Sequence, residues 1–216
     1  MPEPKANVVE RTIDSIRKAI QNGQYAPGQR LIVADLVQEL AVSAGPVREA
    51  IRRLTGEGLV DFVPNRGAMV RKLDARAISD IFRIREVIEG LAARLASENI
   101  DRPGNRDRLR EEQKAGVAAA KAGGGIYIDH NRRFHTLIYE IADNDRLTEV
   151  AQQMTASIYR LNYHSLMDAS YAKRSASDHN TIVRAILAGD GDAAEREMRA
   201  HIAAAGMAMQ NAISTV

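Results

Sequence analysis

The chain contains no cysteine, which excludes a disulfide framework and any thiolate nucleophile or metal ligand. It also lacks an apolar run of about 20 residues and a basic-then-apolar leader, so the expectation is a cytoplasmic protein, neither membrane-inserted nor secreted. Strong charge of one sign is missing too: 30 Lys and Arg stand against 28 Asp and Glu. The small surplus is uneven. Residues 1–73 carry 11 Lys/Arg against 8 Asp/Glu, whereas residues 74–216 carry 19 against 20. The basic excess therefore belongs to the N-terminal third, where its arrangement says more than its size. With 216 residues there is room for a small module and a second domain with its own core.

The most informative stretch runs from Val42 to Leu54. Ser43 suits an N-cap, and Pro46 is tolerated in a first turn whose N–H groups lack helical partners. Val47, Ala50, Ile51 and Leu54 fall at i, i+3, i+4 and i+7, forming one buried stripe, while Arg48 and Arg52 share another face with Arg53 beside them. Before it, Leu31 to Leu40 forms a short amphipathic helix, and Ala41 to Ala44 leave room only for a tight turn, which is helix-turn-helix spacing. Upstream, Val8 to Gln21 reads as a first helix with Ile13, Ile16, Ala19 and Ile20 inward. Downstream, Gly58–Val63 and Ala68–Arg71 are β-rich runs joined by Pro64-Asn65-Arg66-Gly67, a turn sequence. A hairpin with a cationic tip after such a helix is the wing of a winged helix.

The segment from Ile16 to Val70 resembles the DNA-binding domain of the GntR family of bacterial transcription regulators. The matching residues are Ala19-Ile20, Gly23, Pro27-Gly28, Arg30-Leu31, Leu36, Val42-Ser43, Pro46-Val47-Arg48-Glu49-Ala50, Arg53-Leu54, Gly58-Leu59-Val60 and Asn65-Arg66-Gly67. Ala34 and Ala44 depart from the family, whose members usually carry DNA-touching arginines there. The cations left for DNA are Arg48 and Arg52 on the recognition helix, Arg66 at the wing tip, and Arg30 and Arg71. Arg48 is the candidate for a guanine edge, because a bidentate fork matches O6 and N7. Ser43 is placed for a phosphate, and Gly67 allows close approach of the wing backbone. A solvated or ion-paired helix face is the alternative for Arg52 and Arg53.

Residues 74–216 lack strand patterns. Six helical segments can be drawn, at about 76–99, 106–122, 125–142, 145–170, 177–188 and 191–211, with breakers at Pro103-Gly104, Gly123-Gly124-Gly125, Asn144 and Gly189-Asp190-Gly191. The expected fold is mostly α: a winged helix-turn-helix over 1–73, then an antiparallel all-helical bundle over 74–216, which can enclose a pocket between facing helices.

Three histidines of the bundle lie on inward stripes. His135 shares a face with Asn131 one turn before it and with Ile138; His179 is in register with Ile182, Val183 and Ile186; His201 is in register with Ala194, Met198, Ile202 and Ala205. A lone inward histidine is most often a hydrogen-bonded core residue. Three of them with an amide oxygen suit a divalent ion such as Zn, Ni or Mn. Asp129 and His130 fall on a spacing that faces away from His135.

This half is similar to the FCD effector domain of the FadR-like branch of the GntR family, in its shorter, VanR-like form. Carrying the resemblance are Arg85 to Ala96, Asn131 with Phe134-His135, Asp143-Asn144, Asp178-His179-Asn180, Ala185-Ile186 through Gly189-Asp190, and Met198 to His201. It implies a metal site at Asn131, His135, His179 and His201, with Asn where relatives can carry Asp. It also implies an organic-acid effector, a homodimer and a short palindromic operator, most often under repression.

Arg85 lies in the apolar stripe Ile78, Ile81, Arg85, Ile88, Ala92 and Leu95, and a buried guanidinium needs a partner. Two roles stay open: an internal ion pair with an acid such as Glu89, or a bidentate clamp on an effector carboxylate. Tyr127, Arg133, Arg160 and Asn162 are further pocket candidates that no spacing rule selects, and His164 is expected at the surface. Two other readings compete with the regulator: a metal-dependent hydrolase with an accessory DNA-binding module, and a dimeric DNA-binding protein without effector. The hydrolase fits poorly, because no acid stands beside the histidines as a His-Glu-x-x-His motif would place it.

Overall fold

The structure, a computed structural model, describes residues 5–122, 124–160 and 169–214. It divides into two compact units, with the break between Leu73 and Asp74.

The first unit contains α1 (Lys5–Gln21), α2 (Val33–Leu40), α3 (Ala44–Gly56), β1 (Val60–Val63) and β2 (Gly67–Val70). The stripe Val47, Ala50, Ile51 and Leu54 of α3 is buried. It meets Ile13, Ile16 and Ile20 of α1 and Leu36 of α2 in one core, because α1 and α2 both pack on α3. Each such aliphatic side chain contributes about 1.5–3 kcal/mol when fully buried. The strands pair antiparallel in the register Val60↔Val70 to Val63↔Gly67, and the turn closes with Asn65 and Gly67 at φ values of 62° and 79°. The left-handed φ at Gly67 is where a side chain would be strained.

Two local expectations are corrected. The second helix starts at Val33 rather than Leu31, because Arg30 bridges Met69 and the Leu31 N–H donates to the Ala68 carbonyl at 2.8 Å. Pairing beside the hairpin satisfies backbone groups that a first helical turn leaves open, and it still buries Leu31. Ser43 occupies the N-cap of α3 with extended backbone, yet its side chain makes no capping hydrogen bond.

The second unit comprises, among the described residues, α4 (Ala75–Glu98), α5 (Asn105–Ala122), α6 (Gly124–Ala142), α7 (Asp145–Arg160) as far as Ala156, α8 (Ala169–Leu187) and α9 (Gly191–Ser214). α4 packs against α6, α8 and α9, and α5 against α6 and α8. Starts are capped by side chains: Asp74 accepts from the Ala77 N–H, Asn144 from Leu147 and Asp190 from Ala193.

Two boundaries and one face differ from expectation. Gly124 and Gly125 belong to α6 instead of breaking the chain. Glycine costs about 0.5–1 kcal/mol in a helix, and burial of Tyr127, His130, Asn131 and Phe134 on the following turns offsets it. α8 begins at Ala169, well before position 177, and its added turns bury Tyr171, Ala172 and Ser175 in line with His179. The segment expected at 145–170 is helical to Arg160, and positions 161–168 lie outside the described residues. On α4 the buried face is Ile78, Phe82, Arg85, Glu89, Ala92, Ala93 and Ala96, with Ile81, Ile88 and Leu95 only half-buried. Hydrophobicity alone picks Ile88, whereas packing selects Glu89, because the neighbours offer it charged partners.

Candidate functional site

α6, α8 and α9 bring His135, His179 and His201 together in the core of the helical unit. One ring nitrogen from each lies within 4.8 Å of the others, and all three residues are buried. His179 Nε2 and His201 Nε2 are 3.2 Å apart. Two nitrogens bound to one zinc ion at Zn–N distances of about 2.0–2.1 Å are separated by about 2.8–3.4 Å for angles near 90–110°, so this spacing matches a shared ion. The donor chemistry also fits. Burial, followed by the neighbouring histidines, holds the His179 imidazole well below its usual pKa, and burial lowers His201 against the opposing pull of Asp178. Both rings are thus neutral near pH 7, as metal ligands must be. Asn131, one turn before His135 on α6, is 5% exposed.

What surrounds the rings fixes their orientation. Phe134 stacks on His179 with centroids 3.8 Å apart at 16°. Asp178 Oδ2 is 3.3 Å from His201 Nδ1, and Glu89 Oε2 is 2.6 Å from His135 Nδ1. Glu89 Oε1 in turn accepts from Arg85 Nε at 2.7 Å. Burial drives the Glu89 carboxyl upward, but Arg85 and then His135 outweigh it and hold its pKa well below the usual carboxylate range. Of the two roles open for Arg85, the internal ion pair is therefore the arrangement found, with the guanidinium also 4.7 Å from the Phe82 ring centre.

His130, whose spacing faces it away from His135, is 1% exposed, with its ring centre 6.1 Å from that of His179 and Nδ1 2.8 Å from Glu112 Oε1 of α5. The ring fills a slot opposite Gly116, where an added Cβ would stand 2.6 Å from Nε2. His130 lies one turn before the core residue Phe134, a spacing that could have revealed it. Asp129 is exposed. Among the pocket candidates, Tyr127 is buried near His130, while Arg133 points outward, 3.6 Å from Glu112. Arg160 is the last residue of α7, and Asn162 and His164 lie outside the described residues.

In the first unit, Arg30, Arg48 and Arg52 line a single cleft of about 540 Å³ between α3 and the wing, together with Ile32, Phe62 and Gly67. Arg48 and Arg66 are exposed and, among the described residues, have no carboxylate partner. Arg52 and Arg53 both bind Glu49, at 2.6 and 3.1 Å, and Arg53 also reaches Glu10. Hydrogen bonds from Arg52 and then Arg53 lower Glu49 to about 2. Arg71 is held by Asp61 at 2.7 Å. Arg30, Arg48, Arg52, Arg53 and Arg66 are thus exposed, and Arg71 is committed to the hairpin.

Comparison with known proteins gives two family matches: the FCD domain over residues 80–204, and the bacterial regulatory proteins of the gntR family over residues 8–70. The HTH-type transcriptional repressor RspR of Escherichia coli is 28% identical over 201 residues, covering 92% of this chain and 87% of RspR. The Nta operon transcriptional regulator of Aminobacter aminovorans is 26% identical, covering 82% and 83%. The solved structure of E. coli McbR/YncC shares the fold, with a TM-score of 0.71 at 23% identity over 94% of this chain and 97% of that one.

Proposed function

The chain belongs to the GntR family of bacterial regulatory proteins and carries its FCD domain, and from that premise we propose a homodimeric repressor whose hold on a palindromic operator is set by a carboxylate effector and a divalent ion. It is a DNA-binding transcriptional regulator and not an enzyme. In this reading residues 1–73 bind DNA and residues 74–216 bind the effector and dimerise. The chain works in the cytoplasm, a reading consistent with the absence, among the described residues, of a helix long and apolar enough to cross a membrane.

The observation that carries the metal-dependent part is the buried convergence of His135, His179 and His201. These three with Asn131 would hold the ion, and Zn, Ni and Mn suit imidazole and amide donors. When bound, the ion supplies a Lewis-acidic point for an effector carboxylate. Arg85 is the weaker anchor for that group, because an effector would have to compete with Glu89 for it. Repression follows the role by which the relative RspR is named. Dimerisation is supported by Ile84, Val87 and Leu91, an apolar stripe of α4 that is 48%, 55% and 42% exposed. Two copies would set α3 into successive major grooves, with Arg48 at a base edge, Arg52 and Arg30 along the cleft, Arg66 at the wing and Ser43 and Gly67 against the backbone. The effector acts only if it binds one arrangement of the dimer better than the other.

Elemental analysis and thermal unfolding with Zn, Ni and Mn test the reading. A ligand at 100 times its Kd stabilises by about 2.7 kcal/mol. His179→Ala should abolish that gain, and Asn131→Asp should enlarge it by adding a charged oxygen. Protein that purifies without metal and gains no stability from any of the three ions would remove the metal from the mechanism. A screen of organic acids on operator binding then identifies the effector class, and no response to any acid would favour a dimeric DNA-binding protein without effector.

A further inference from the structure

We propose that Glu89 is the positioning residue of this centre: its carboxylate holds His135 by Nδ1, so that Nε2 is the nitrogen presented to His179 and His201. This inference rests on the metal reading above. Glu89 lies on α4 and His135 on α6, so no local motif joins them; packing of those two helices does. The side chains are 1% and 5% exposed, and the Oε2–Nδ1 distance is 2.6 Å. Both atoms are buried and neither has a partner aligned as a hydrogen bond, so the charged contact at 2.6 Å is what pairs them. Arg85 takes the second oxygen through Nε at 2.7 Å, which anchors the carboxylate from the far side.

A carboxylate behind an imidazole selects the tautomer with its proton on the near nitrogen and leaves the lone pair on the far one, the arrangement recurrent behind metal-bound histidines. The need for it is specific to this chain. Its donor set is three imidazoles and the amide of Asn131, with no formal negative charge to offset a divalent ion. Glu89 supplies that charge one ring behind the centre. Asp178 stands behind His201 in a similar way, but at 3.3 Å and with a side chain 36% exposed, so water screens it. His179 Nδ1 has no hydrogen-bonding partner among the described residues, and its ring is set by stacking on Phe134. Each ring is thus held by different means, and that of His135 is the most buried charge.

The test uses the full-length chain and Zn²⁺ itself. Affinity is measured by chelator competition for wild type and Glu89→Gln, and nitrogen NMR of the metal-free proteins reads the His135 tautomer. Wild type should carry the His135 proton on Nδ1. Glu89→Gln, close to isosteric, should lose that preference and bind Zn²⁺ about 10–100-fold more weakly, as expected for loss of an outer-shell partner. If Glu89→Gln fails to fold because Arg85 is stranded, the double change Arg85→Met with Glu89→Gln removes both charges and carries the same prediction. Zn²⁺ uptake by wild type that a folded variant leaves unaltered would overturn this inference alone, as would a wild-type His135 proton on Nε2. No uptake by wild type would instead overturn the metal reading.

Discussion

In the winged-helix unit Arg52 and Arg53 share Glu49 in contact with water, whereas in the helical unit Arg85, Glu89 and His135 form the same kind of pairing with side chains that are 1–5% exposed. The chemistry is alike and the consequence is opposite. Exposed pairs are weak and are screened further by salt, so their arginines can leave Glu49 for a phosphate at little cost. Buried partners have no water to fall back on, and removing one leaves the other uncompensated. The first unit therefore keeps its charges available for a ligand, and the second commits them to its own core.

The sharpest way to break this contrast is Arg85→Met. It strands the Glu89 carboxylate and should cost about 3–5 kcal/mol of folding stability, read as a lower urea midpoint with an unchanged m-value. A loss under about 1 kcal/mol would mean that Glu89 finds water or another cation and that the pair is not committed.

The next effect is on pH. His179 and His201 are held neutral, chiefly by burial, so their folded pKa values lie below the unfolded value of about 6.5. Below that pH the unfolded chain binds more protons than the folded one. The sign is therefore stability that is present above about pH 6.5 and lost as pH falls below it in metal-free protein. Saturating Zn²⁺ should shift the loss to lower pH. A flat profile between pH 7 and 5 would place these rings in contact with solvent.

A smaller effect is expected at the DNA face. Arg48→Ala should cost about 1–3 kcal/mol in operator binding and relax preference at a single base position per half-site, with the urea midpoint unchanged. Competition against single-base operator variants decides it, and an intact base preference would remove Arg48 from direct readout. Smallest is Arg53→Ala, whose partners Glu49 and Glu10 remain hydrated; calorimetry should find no change in Tm. A clear drop would show that the surface cluster around Glu49 is structural and would blur the contrast between the units.

Much of this architecture is determined by local pattern in the chain. The period of Val47, Ala50, Ile51 and Leu54, the short turn before them and the turn residues after them specify a winged helix, because each is a short-range constraint on backbone and burial. The inward stripes of His135, His179 and His201 are determined in the same way, since 3.6-residue periodicity tells which face of a helix is buried. Periodicity does not tell what a face meets. That Glu89 rather than Ile88 enters the core, that it reaches His135 across two helices, that His130 finds Glu112, and that Arg85 is bound internally are decisions of the tertiary structure. The physical reason is that a buried charge is tolerable only beside its partner, and the partner is supplied by a helix far away in sequence.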